Sequence, residues 1–259
     1  MHEPNPPSGD LPRHAAALLE RLRARGPRVH CVTNAVAQNF TANVLLAAGC
    51  VPSMTISPEE VGQFVAGADA LLVNLGTFDK ERREAVEIAV EVATQHKVPW
   101  VLDPVLIDRS PSRAAFARGL AERAPKVVRL NAAEFAALAG RDGNREALSS
   151  FAGQHGTVVA LSGKTDLVSD GKRIAAITNG DSLMAKVTAM GCAGSALIAA
   201  FLAVEPDAWR AASAGLLLLG IAGELAAREA KGPASFAVAI VDCLHTVDGK
   251  AIVQHARVN

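Results

Sequence analysis

The sequence predicts an α/β fold, a mostly parallel sheet covered by helices on both faces, and two observations carry that prediction. Short apolar, β-rich runs recur along the first two thirds of the chain, each followed by a longer amphipathic stretch; this alternation builds parallel sheets from strand–helix–strand units. Half of the 259 residues are hydrophobic and one fifth are charged, which supplies an ample core and excludes a disordered or coiled-coil chain. With no boundary, repeat or low-complexity linker past the first ten residues, the chain reads as one domain over residues 1–259, of which 1–10 are expected to be flexible.

Taken in order, Asp10 is expected to cap a helix that starts near Pro12, turns Ala16, Leu18, Leu19 and Leu22 inward and stops at Gly26. Residues 28–33 (RVHCVT) read as a strand with Asn34 at its carboxyl end, where open α/β sheets bind ligands. Residues 38–48 form a helix closed by Gly49, and 50–54 form a second strand that ends on Met54. Pro58, Glu59 and Glu60 suit the first turn of a short helix. The apolar run 69–75 is a buried strand; Gly76 and Thr77 turn the chain, and Asp79 caps a long helix through His96. Residues 98–102 are a strand ending on Asp103 and Pro104, and the pattern repeats at 127–130 and 157–161. Residues 164–177 read as a β-hairpin about Asp170 and Gly171, and from Gly191 onward helices are expected at 192–203, 207–230 and 233–256.

Composition narrows the partners. Lys plus Arg equals Asp plus Glu at 26 each, so no long-range field draws nucleic acid or an anionic membrane, and a small-molecule substrate is the expected partner. Cys31, Cys50, Cys192 and Cys243 lack metal-type spacing, which fits a reducing cytoplasm, and the proline-rich first residues lack the pattern of a signal peptide. Each apolar run is interrupted by Gly, Ser, Glu or Arg before reaching a membrane span. The seven histidines are scattered, and most are expected at the surface or at helix ends.

Three polar signals fall at strand ends or the turns after them. The first is Asp103 before Pro104, which either ends a strand or offers a carboxylate to a metal. The second is Asn131 with Glu134, either a capping box or two oxygen ligands near a magnesium-phosphate position. The third is the small-residue turn 189–195 opening an apolar helix, either close packing or an anion cradle; it carries Cys192, whose thiol a helix N-terminus tends to acidify. Together they supply what phosphoryl transfer needs: a magnesium-compatible carboxylate cluster, a backbone cradle and a group that orients the attacking hydroxyl. Lys186 and Arg129 are the basic candidates for an anionic nucleotide. No G-x-x-x-x-G-K-[ST] and no G-x-G-x-x-G after the first strand occur, which argues against a Walker-type site and a dinucleotide dehydrogenase.

The stretches HCVTNAVAQNFTANVLLAAG (30–49), PSM (52–54), LLVNLGT (71–77), LDPV (102–105), Arg129 with NAAE (131–134) and NGDSLMAKVTAMGC (179–192) resemble the hydroxyethylthiazole kinase family, in the right order over nearly the whole chain from residue 12. The resemblance implies a ribokinase-like three-layer α/β/α fold and an ATP-dependent kinase of 4-methyl-5-(2-hydroxyethyl)thiazole in thiamine salvage. By position it implies substrate contacts at Asn34, Met54 and Ala189, ATP contacts at Arg129, Ser162 and Gly191, and Mg2+ held by Asp103, Asn131 and Glu134. Cys192 stands where the wider superfamily has its catalytic aspartate. A homotrimer with sites between subunits is implied as well. Ser162 replaces a usual Thr, Ala189 a usual Gly, and Leu106, Ile107, Asp108 and Arg109 a glycine-rich segment; the linker after Leu138 is also short. These departures leave two other outcomes open: a kinase of another small alcohol such as a hydroxymethylpyrimidine, and a thiazole-binding protein without catalysis.

Overall fold

The computed structural model describes residues 10–259, and the expected flexibility of the first residues lies outside them except at Asp10. One eight-stranded sheet runs through the molecule in the order β2-β1-β3-β4-β5-β6-β7-β8. Its strands are β1 (Arg28–Val32), β2 (Val51–Ser53), β3 (Ala70–Asn74), β4 (Trp100–Asp103), β5 (Val127–Asn131), β6 (Val158–Ser162), β7 (Asp166–Ser169) and β8 (Ile174–Ile177). The first six are mutually parallel, and β7 and β8 add an antiparallel hairpin whose turn holds Gly171 at φ 90°, where a side chain would be strained.

Helices cover both faces, so β3 and β4 are buried along their whole length and read as apolar runs rather than alternating ones, while β5 carries Arg129 toward the site. On one face lie α1 (Leu11–Arg25), α2 (Gln38–Ala47), α8 (Met190–Leu202), α9 (Ala208–Glu229), α10 (Pro233–Thr246) and α11 (Gly249–His255). The other face carries α3 (Val61–Ala66), α4 (Lys80–His96), α5 (Pro111–Ala121), α6 (Ala132–Ala139) and α7 (Arg145–His155). Three layers result, with a separate apolar core on each side of the sheet. Asp79 caps α4 by accepting from the Arg82 amide at 2.7 Å, and Gly26 closes α1 at φ 57°.

Several local expectations are corrected. Asp10 makes no side-chain cap on α1; its carboxylate lies 3.2 Å from His14 instead, and Ala15 joins Ala16 on the core-facing side. The last helix is two: α10 ends at Thr246, and Asp248 caps α11 by accepting from the Ala251 amide at 2.8 Å. His30 is a core residue, not a surface one; it bonds Ser53 Oγ at 2.8 Å and the Thr55 carbonyl at 3.1 Å. Among the described residues one helix is, after all, long and apolar enough to cross a membrane: α9, with 22 residues and mean hydropathy 1.4 over its most apolar window. It is instead the central helix of its layer, packed against α1, α8 and α10, which is why its sequence is apolar nearly all round.

Candidate active site

Parallel strands bring their carboxyl ends to one edge of the sheet, and the polar residues there line up by register. Asn74 pairs with Asp103 across β3 and β4, and Asn131 with Ser162 across β5 and β6, while Asn34 follows β1. The amino end of α8 lies against the same edge, since Ser195 reaches Asp103 at 2.9 Å.

Asp103 is fully buried. Its Oδ2 accepts from Asn74 Nδ2 at 2.7 Å and from Ser195 Oγ, whereas Oδ1 has no hydrogen-bond partner among the described residues. Burial pushes its carboxyl up to about 6; the Arg129 charge opposes the shift, the Glu134 charge adds to it, and the two donors oppose it. A polar chain runs on from there: Asn34 Nδ2 donates to Asn74 Oδ1 at 3.0 Å and approaches Cys192 Sγ at 3.3 Å. Gly76 must be small here, because a Cβ would lie 2.6 Å from the Asn34 side chain.

Cys192 sits in the first turn of α8 and is buried. Its thiol is not acidified as its helix position suggested. Burial pushes it up to about 11, the neighbouring Asp103 charge adds to that, and the Asn34, Asn74 and Arg129 contributions in the other direction are smaller. The dipole of one helix end loses to desolvation beside a carboxylate.

Ala189 caps α8 from the left-handed region at φ 68°, a conformation that suits glycine. Gly191 lies flat against Arg129: a Cβ would come within 2.6 Å of the guanidinium. Arg129, Ser162 and Gly191 line one cleft of about 810 Å³, together with the turn 163–165 between β6 and β7 and the segment 178–185. That volume suits a nucleotide-sized ligand. Arg129 Nε is buried there without a partner among the described residues.

Asn131 and Glu134 form the capping box: Asn131 Oδ1 accepts from the Glu134 amide, and Glu134 Oε2 from the Asn131 amide, both at 2.9 Å. Glu134 does more than close a helix. Its Oε1 accepts from the Leu106 amide at 2.9 Å, and Leu106 holds that amide in place from φ 59°, a second left-handed non-glycine residue at the site. The described residues contain no group of three or more His, Cys, Asp and Glu suited to a metal. What they offer is the unpaired Asp103 Oδ1, with Glu134 close enough to raise that carboxyl electrostatically. This set fits Mg2+, which keeps most of its waters and takes one or two carboxylates plus substrate phosphates.

Met54 does not line the cleft; it follows edge strand β2, half-buried against the core. His30 holds the residues on either side of it, Ser53 and Thr55. Lys186 does not line the cleft either. Asn74, Ser195 and His30 are site or supporting residues that sequence reasoning passed over. Asn74 ends an apolar strand just as Asp103 does, so the signal that marked Asp103 was available for it too.

Comparison with known proteins adds an independent line. A model of the hydroxyethylthiazole kinase family matches residues 19–250. The chain is 45% identical over 253 residues to a probable hydroxyethylthiazole kinase of Agrobacterium fabrum, covering 97% of this chain and 98% of that one. It is 44% identical to a hydroxyethylthiazole kinase of Granulibacter bethesdensis, covering 93% and 92%. Its fold is similar to that of a hydroxyethylthiazole kinase protein from Pyrococcus horikoshii OT3, with a TM-score of 0.91, 37% identity and coverage of 95% and 98%. Pyridoxal kinase of Staphylococcus aureus in complex with AMP-PCP and pyridoxal shares the fold alone, with a TM-score of 0.62 at 16% identity.

Proposed function

The chain belongs to the hydroxyethylthiazole kinase family and has its ribokinase-like fold, and from that premise we propose how its own residues phosphorylate 4-methyl-5-(2-hydroxyethyl)thiazole. The observation that carries the reading is the convergence of Asp103, Cys192, Arg129 and the first turn of α8 at one sheet edge, beside a nucleotide-sized cleft. ATP lies in that cleft with its phosphates toward Gly191. Arg129 and Ser162 contact it, and the Arg129 guanidinium meets its negative charge.

The substrate hydroxyl lies beside Asn34 and Cys192. Its oxygen attacks the γ-phosphorus in line, the bond to the β,γ-bridging oxygen breaks, and ADP leaves. The free amides of the α8 first turn, residues 190–192, receive the charge on the transferring group. Cys192 is protonated at neutral pH, so it orients the alcohol rather than deprotonating it. A loose transition state needs little help from a base, and the hydroxyl proton moves late, onto a phosphoryl oxygen. Asp103 through Oδ1 and Glu134, with Asn131, would hold Mg2+ and its water shell, which when bound neutralises the β- and γ-phosphates.

Ala189 and Met54 complete the substrate side. Met54 reaches it from a neighbouring copy, as in a homotrimer with sites between subunits; Val51 at 56% exposure and Phe64 at 43% leave an apolar strip along the β2 edge for that contact. The protein is a single kinase domain working in the cytoplasm, without nucleic-acid or membrane partners, consistent with its zero formal net charge.

The decisive assay is ADP release from Mg-ATP with the thiazole alcohol beside a hydroxymethylpyrimidine. Faster turnover of the thiazole supports the proposal. Preference for the pyrimidine, or thiazole binding with no turnover, would overturn it in favour of a different alcohol kinase or a binding protein.

A further inference from the structure

One wall of the 810 Å³ cleft is the segment 178–185, which joins the end of β8 to a short 3-10 turn at Ser182–Lys186 and has no strand of its own to hold it. Three features fix it. Glu224 of α9 accepts from Asn179 Nδ2 at 3.1 Å and from the Gly180 amide at 2.7 Å. Arg257 lies across the other side of the same carboxylate: its guanidinium pairs with both Glu224 oxygens, Nη1 reaching Oε2 at 3.0 Å. Arg257 also grips the segment directly: its main chain donates the amide to Asn179 Oδ1 at 2.7 Å and accepts from the Thr178 amide at 3.0 Å, while its side chain donates Nη2 to the Thr178 carbonyl at 3.1 Å. Arg257→Ala therefore removes the guanidinium part of the clamp and keeps the main-chain part. The third feature is steric. A Cβ on Gly220 would lie 2.8 Å from the Asn179 carbonyl oxygen, and one on Gly223 would lie 2.7 Å from Met184 Sδ, so the segment rests on the bare backbone of α9.

Thr178, Asn179, Gly180 and Asp181 all line the cleft, while Glu224 and Arg257 do not. Asn179 is nearly buried, and every polar atom of its side chain is committed to this clamp, since Nδ2 also donates to the His255 carbonyl at 2.8 Å. We propose that Glu224 and Arg257 are positioning residues for the nucleotide: they clamp 178–181 at the spacing from Arg129 that ATP needs, without touching ATP themselves. The thiazole side, built on β1, β3 and α8, lies outside the clamp.

This rests on reading the cleft as the nucleotide site, and the test separates the two. Steady-state kinetics are measured for Arg257→Ala, Arg257→Lys, Glu224→Ala and Arg129→Ala. Arg257→Ala is expected to raise KM for ATP about three- to tenfold, with kcat and KM for the thiazole within about twofold, because a half-exposed ion pair holding a loop contributes modestly. Glu224→Ala should do the same or more, and Arg257→Lys should recover part of the loss. An unchanged KM for ATP in folded Arg257→Ala, or equal losses in kcat and both KM values, would overturn the clamp. Should Glu224→Ala fail to fold, Arg257→Ala alone still decides, since 53% of its side chain is exposed and no core packing is lost. Arg129→Ala reads the premise: if KM for ATP does not rise in it, the cleft is not the nucleotide site, whatever Arg257 shows.

Discussion

Two carboxylates face the same site and are held in opposite ways. Glu134 has both oxygens engaged by backbone amides, from Asn131 and Leu106, so it ties the start of α6 to the turn after β4. Asp103 accepts two side-chain donors on one oxygen and none on the other, and it sits deeper. An engaged carboxylate contributes to the fold; a half-engaged, fully buried one costs stability and persists where chemistry uses it. The difference separates a carboxylate that braces the fold as well as facing the site, Glu134, from one whose free oxygen serves the site alone, Asp103.

Replacing Asp103 with Asn should give the largest effect and sharpen the contrast. Turnover is expected to fall by about a thousandfold, since the charge proposed to hold Mg2+ is gone. Folding should not suffer. The folded carboxyl titrates at about 6 against a usual value of 3.8, so the native state binds the proton more tightly and stability falls as pH rises through that window. Buried His30, pushed down to about 4, adds a rise of similar size over the same range to parent and variant alike, so the fall is read as a difference. From pH 4 to 7 the ligand-free parent should lose up to about 3 kcal/mol relative to Asp103→Asn in urea unfolding. A variant that unfolds more easily than the parent at pH 7 would mean that the carboxylate is structural after all.

Glu134→Ala should behave the other way, losing both activity and stability. Two amides lose their acceptor in a site that is barely exposed, which costs about 2 kcal/mol in unfolding free energy, and turnover should fall about a hundredfold. A variant of full stability and no activity would make Glu134 purely a metal-side group; one with full activity would remove it from the magnesium assignment. Cys192→Ala comes next. With a thiol near 11 the site contains no thiolate at neutral pH, so the loss of turnover should be only about tenfold. In the parent, alkylation by iodoacetamide at pH 8 should be slow at this position. Complete loss of activity would make the thiol the essential base.

How far the sequence revealed this follows the same division. Alternating apolar runs and polar strand ends made the layers and Asp103 legible, because strand burial and carboxyl-end sites are properties of short stretches. The capping box was legible for the same reason. The Leu106 bond to Glu134 was not, since it joins residues 28 apart and depends on a backbone angle. The Cys192 thiol was misjudged because its helix end is written in the sequence, whereas the burial and the Asp103 charge that outweigh it exist only after folding. The break before α11 was readable from Asp248 and Gly249 but was hidden by the apolar period that continues across it.

The smallest expected effect concerns the two left-handed residues, Leu106, whose amide bonds Glu134, and Ala189, which starts the helix that carries Ser195 to Asp103. Ala189 and Leu106 hold φ values of 68° and 59° where a glycine would be relaxed, and each costs about 1 kcal/mol or slightly more. Ala189→Gly removes that strain, but it also frees the unfolded chain, which takes back about 0.4 to 1 kcal/mol. The net change in melting temperature should therefore stay within about 3 °C, and the readout that matters is kinetic. Removing one methyl beside the proposed substrate position should lower KM for the thiazole, or widen the range of alcohols accepted, while leaving KM for ATP alone. Leu106→Gly should have no such substrate effect, because Leu106 acts through its amide, which glycine retains. Should both variants shift the alcohol preference alike, the division between a structural carboxylate with its turn and a reactive one with its helix would fail.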